Sequence, residues 1–162
     1  MSVVGNKGLA QRLSRPPTIC GVMIVRSGHI ILPKKFKYKD LAKVFPDMFK
    51  LFLKESGQMP DDEAFARILI RSNTLDLQAN RKPEGYNRDN KMRMIFPLGK
   101  GEVSLYIYRS ARSEEVARLT EILSSFLKSK GFPHKVEWDK MILYHYKEKK
   151  ARRPEAAVPN NI

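Results

Sequence analysis

No carboxylate occurs before Asp40, while the same stretch carries eight basic side chains: Lys7, Arg12, Arg15, Arg26, Lys34, Lys35, Lys37 and Lys39. Cations without local counter-charges cannot be buried cheaply, so a fold built from this chain must keep most of that segment at its surface. The segment supplies eight of the fourteen net positive charges. Concentrated charge of one sign is costly to a compact protein and points to a polyanionic partner, either a nucleic acid or an anionic lipid surface. Phosphate backbones and acidic headgroups attract Lys and Arg through the same screened term, so charge alone leaves both open.

The rest of the chain can support a core. Its 162 residues suit one domain, and 42% apolar residues with eight Phe, six Tyr and one Trp oppose a disordered chain. The domain is expected over residues 18–147, between a flexible basic arm at 1–17, closed by Pro16-Pro17, and a flexible basic tail at 148–162. The longest apolar run, Met48 to Leu53, is interrupted by Lys50 and falls well short of the roughly 20 residues that cross a bilayer, so any membrane contact is expected to be peripheral. An acid-free start with Arg12, Ser14 and Arg15 also fits a mitochondrial transit segment, although Pro16-Pro17 would cut its helix short.

Periodicity gives an α+β reading: two main helices packed on an antiparallel sheet. Strands are expected at Ile19–Arg26 and His29–Leu32, joined by a turn at Ser27-Gly28. Leu41, Val44, Phe45, Met48, Phe49 and Phe52 form the apolar stripe of a helix kinked or restarted at Pro46 and stopped at Gly57. Ala64–Arg71 alternates like a strand, and residues 79–91 read as an exposed loop. Met92–Pro97 and Glu102–Arg109 form a hairpin. Ser113 caps a second helix with Val116, Leu119, Ile122, Leu123 and Phe126 inward and Gly131 at its end, and a closing hairpin joins Lys135–Trp138 to Met141–Tyr146.

No catalytic constellation stands out, and neither a cofactor nor a small-molecule substrate is expected. Cys20 has apolar neighbours and reads as a small buried thiol; His29, His134 and His145 lack metal-ligand spacing, so no metal is expected. Asp61-Asp62-Glu63 is the best acidic group for a metal-dependent nuclease, and Glu148 with Lys150 offers a nuclease-like pair, but both patterns are short and fit polar turns. Gly99-Lys100-Gly101 lacks the spacing of a phosphate loop. The basic clusters carry more. Lys34, Lys35, Lys37 and Lys39 alternate with Phe36 and Tyr38, a pattern suited to base stacking or to rings among headgroups, and equally to a solvated strip whose rings enter the core. A secondary cluster comprises Arg81, Lys82, Tyr86, Arg88 and Lys91, with Tyr86 as a stacking platform. Five cations between Lys147 and Arg153 extend the electrostatic reach of the tail.

Four segments then fall in a meaningful order: Met23-Ile24-Val25-Arg26-Ser27, Phe36-Lys37-Tyr38-Lys39-Asp40-Leu41-Ala42, Phe65-Ala66-Arg67-Ile68-Leu69 and Lys100-Gly101-Glu102-Val103-Ser104-Leu105-Tyr106-Ile107-Tyr108. In that order they resemble the rhabdovirus matrix proteins, and the length resembles the smaller matrix proteins of plant-infecting members. The resemblance implies a non-enzymatic structural protein of the virion, lying beneath the envelope and, in the host cell, in cytoplasm and at membranes. It implies self-association, binding to the viral nucleocapsid and its RNA, and peripheral attachment to an anionic membrane during assembly and budding. Lys7, Arg12, Arg15 and the Lys34–Lys39 strip would make those contacts. Pro16-Pro17-Thr18-Ile19 lacks the tyrosine of the family's budding motif, so recruitment through that motif is not implied. The same basic arm, α+β core and aromatic-basic strip also fit an RNA-binding component of a ribosome or mitochondrial ribosome.

Overall fold

The computed structural model describes residues 18–19, 22–89, 91–99 and 101–140. The expected arm at 1–17, Cys20, the second strand of the closing hairpin and the basic tail lie outside them. The architecture is α+β. A short antiparallel pair, β1 (Thr18–Ile19) and β2 (Val22–Met23), precedes β3 (Val25–Ile31). Helices α1 (Tyr38–Leu41), α2 (Phe45–Glu55) and α3 (Glu63–Gln78) follow, then β4 (Arg93–Ile95), β5 (Ser104–Ser113), α4 (Glu114–Ser129) and β6 (Lys135–Trp138). The main sheet is antiparallel in the order β4-β5-β3-β6. Helix α4 packs on β3 and β5, while α2 lies against both α3 and α4.

Several local signals act as expected. Pro46 sits in the first turn of α2, where its missing N–H removes no helical bond, and Gly57 follows the helix with φ of +67°. Ser113 accepts the Glu115 N–H and opens α4, whose buried stripe includes Val116, Leu119 and Leu123. Gly131, at φ +83°, closes it. The centre of the core is a group of rings: Phe45 stacks on Phe49 with centroids 5.2 Å apart, and Phe49 meets Phe52 and Tyr86 at 6.3 and 6.2 Å.

Two expectations are corrected. Ser27-Gly28 is not a turn: β3 continues through it after a register shift between Val25 and Ser27, with Ser27 opposite Tyr108 and Gly28 between Ile107 on β5 and Trp138 on β6. The glycine is required by close packing instead, because a Cβ at this position would collide with the Thr120 side chain on α4. Residues Ala64–Arg71 are not a strand but the first half of α3, which raises the helix count of the main body beyond the two expected. Asp62 caps this helix by accepting the Ala64 N–H at 2.9 Å, and its inward line is Leu69, Asn73 and Leu77, spaced four apart. The apparent alternation from Ala64 to Arg71 arises because apolar residues occur on both the packed and the exposed sides.

Asn73 also explains how the following loop is held. Only 3% exposed, it accepts the Gly85 N–H at 2.7 Å and donates to the Leu69 and Gly85 carbonyls at 2.8 and 3.3 Å. A buried amide with these partners satisfies backbone groups that water cannot reach. Residues 79–91 are a loop, exposed over most of its described residues as expected, and anchored where Pro83, Gly85 and Tyr86 are buried within it.

Candidate polyanion-binding surface

After β3, Pro33 accepts the Phe36 N–H at 3.0 Å and turns the chain into the basic strip. Its aromatic and basic residues then separate by direction. Phe36 is half-buried with its ring 5.3 Å from that of Phe132, and Tyr38 is half-buried, where loss of water pushes its phenol pKa up. Lys34, Lys35, Lys37 and Lys39 are exposed. The ammonium of Lys35 lies 5.2 Å from the Phe36 ring centroid, so that ring carries a cation rather than an open stacking face. Asp40, the first acid of the chain, accepts the Lys37 backbone N–H at 2.7 Å and serves the start of α1. Among the described residues no ion pair engages these four lysines.

The strip adjoins the start of the 79–91 loop, because Lys39 donates its N–H to the Asn80 side-chain oxygen at 3.3 Å. A shallow cleft of about 230 Å³ lies here, bounded by Phe36, Lys37, Tyr38, Asn80, Gly99 and Val103. Within the secondary cluster the outcome differs residue by residue. Arg81 is paired with Asp76 at 3.1 Å, and Arg88 places its guanidinium 4.8 Å from the Phe65 ring centroid and 5.6 Å from that of Tyr86. Lys82 and Lys91 are exposed. Tyr86 is 6% exposed and packs edge-on against Phe49 and Phe52, so its expected role as a base-stacking platform is corrected to that of a core residue. Lys7, Arg12 and Arg15 lie outside the described residues.

The sheet face opposite α4 holds a second recess, of about 340 Å³, bordered by His29, Ile31, Ile95, Tyr106, Lys82 and Lys140. His29 stacks on Tyr106 at 4.8 Å and shares a 2.9 Å hydrogen bond with Ser27 Oγ. Burial first, then the positive field of Lys140, lowers its pKa to about 4 against an opposing pull from Glu137. Between about pH 4 and pH 6.5 the imidazole is thus neutral in the folded protein where it would be charged in the unfolded chain. Stability held above pH 6.5 is lost as pH falls toward 4, by about 3 kcal/mol for this group. Urea unfolding at pH 7 and at pH 4.5 is expected to show that loss, and His29→Asn to flatten the slope between them. His134, also lowered by burial, adds in the same direction, so the comparison with the variant isolates His29.

Among the described residues the acidic groups do not form a centre, and Glu148 with Lys150 lies outside them. Asp61, Asp62 and Glu63 are exposed at the start of α3, and Asp62 is engaged as its cap. Among the described residues no three His, Cys, Asp or Glu side chains are grouped to hold a metal ion, and no helix is long and apolar enough to cross a membrane. A pair of cationic positions missed by the sequence reading as a helical feature, Arg67 and Arg71, faces a groove beside Lys50. Asp62 followed by sixteen residues without Gly or Pro was the signal that marks this segment as a helix.

Comparison of the chain with protein-family models, with curated proteins and with solved structures finds no match.

Proposed function

We propose that this is a non-enzymatic matrix protein that bridges a viral ribonucleoprotein and an anionic membrane, assembling by self-association beneath a viral envelope. The observation that carries the proposal is the outward strip of Lys34, Lys35, Lys37 and Lys39, held on a folded body by inward Phe36 and Tyr38 and not neutralised by any described carboxylate. Unpaired cations on a rigid support attract a polyanion at long range, and salt weakens that attraction. The resemblance in motif order supports the matrix role over a ribosomal one. The inward Tyr86 also removes the most specific feature that favoured a dedicated RNA binder.

Liposome flotation tests the lipid half of this reading. The full chain is expected to float with vesicles containing phosphatidylserine at low salt, to stay behind with neutral vesicles, and to be released as salt rises. Each Lys near such a surface contributes about 1 kcal/mol, so four charge reversals remove the strip's attraction and put repulsion in its place. Equal recovery on neutral and acidic vesicles contradicts the reading.

A further inference from the structure

A groove of about 350 Å³ runs between α2 and α3, and none of the strip lysines lines it. Lys50 stands on its α2 side, Arg67 and Arg71 on its α3 side, with Ile70, Thr74 and Leu75 between them. No carboxylate lines it, and among the described residues no ion pair engages these three cations. The adjoining face of α3 exposes two large apolar side chains, Ile68 at 63% and Leu75 at 52%. They are seven residues apart, two helical turns, with Arg71 between them on the same side. Only Asn73 and Leu77 of this sixteen-residue helix are buried.

We propose that the α2–α3 groove is a docking site for an acidic amphipathic helix of a partner protein. The occupant lays an apolar ridge between the helices, covering Ile68 and Leu75, and aligns Asp or Glu with Lys50, Arg67 and Arg71. Charge complementarity selects this occupant. The chain's own ends are basic, so they are repelled by a groove lined with cations. A nucleic-acid backbone satisfies the arginines but offers nothing apolar to Ile68 and Leu75. The inference is independent of the membrane-bridging role, which rests on the lysine strip.

The test uses the full chain and a fluorescein-labelled model helix with leucine at heptad positions a and d and glutamate at e and g, alongside an isomer with lysine at e and g. Anisotropy titration is expected to show salt-sensitive binding of the glutamate helix only. The double variant Arg67→Glu/Arg71→Glu and the single variant Leu75→Ser are each expected to weaken it about tenfold or more. Melting temperatures close to that of the parent chain verify that the variants fold; Arg67→Gln/Arg71→Gln replaces the charge reversal if they do not. Absence of binding, equal binding of the two helices, or insensitivity to the substitutions overturns the proposal. So does a result in which the glutamate helix fails to bind while the same substitutions abolish flotation on phosphatidylserine vesicles, which assigns the face to lipid.

Discussion

Replacing Tyr86 with alanine is expected to lower folding stability by about 3–5 kcal/mol, the range for removing a large aromatic side chain from a core. The ring is 6% exposed, lies 6.2 Å from Phe49 and 5.9 Å from Phe52 in edge-on contacts, and carries the Arg88 guanidinium on another side. The backbone at this residue also exchanges two hydrogen bonds with Met94, at 2.8 and 2.9 Å, so the surroundings cannot collapse freely into the vacated space. Chemical denaturation measures the loss. RNA affinity provides the second readout: measured where the variant is still folded, it is expected to remain near the parent value. A ring on which a base stacks would instead cost about 1–3 kcal/mol of binding on truncation. Intact stability with reduced RNA affinity would return Tyr86 to a binding surface.

Gly28→Ala is expected to destabilise the fold by about 3 kcal/mol, within the range for inserting atoms into a packed core. The new methyl group meets Thr120, which is fully buried and whose Oγ1 donates to the Val116 carbonyl at 2.7 Å. Relief by backbone movement is blocked, since Gly28 lies on a central strand paired with Ile107 on one side and Trp138 on the other. For a chain of this size the change lowers the melting temperature by about 10 °C. Thr120→Ala removes the hydroxyl and methyl that crowd the site while leaving its own Cβ, so the double variant is expected to recover part of the loss. A coupling energy near zero in that double-mutant cycle would show that the two residues do not share the strain.

These two positions also mark where sequence signals mislead. Tyr86 sits among Asn, Arg, Lys and Gly, a composition that reads as exposed, yet the loop is pinned from a distance by Asn73 and Met94. Ser-Gly between β-branched residues reads as a turn; here glycine answers the approach of α4, a tertiary demand with no local trace. Helix α3 escaped recognition because Ile68 and Leu75 stay exposed, spoiling the one-sided apolar pattern that identified α4. By contrast, capping by Ser113, the stops at Gly57 and Gly131 and the β4–β5 hairpin depend on neighbouring residues and were readable. For the lysine strip the sequence left the direction of the rings open, between stacking on a ligand and entering the core. In the structure Phe36 and Tyr38 are half-buried and the four lysines are exposed. What could not be read was which cations find a local carboxylate: Arg81 pairs with Asp76, and Arg118 pairs with Glu55 and Glu115.

The bridging role is tested most directly by co-flotation. Labelled single-stranded RNA is mixed with phosphatidylserine vesicles, with and without the full chain, and the RNA recovered in the vesicle fraction is measured at increasing salt. The account predicts that RNA floats only when the protein is present, that salt releases it, and that Lys34→Glu/Lys35→Glu/Lys37→Glu/Lys39→Glu severely reduces recovery while leaving the thermal melt unchanged. RNA that floats equally well with this folded variant, or protein that binds RNA and vesicles only in mutually exclusive complexes, contradicts it.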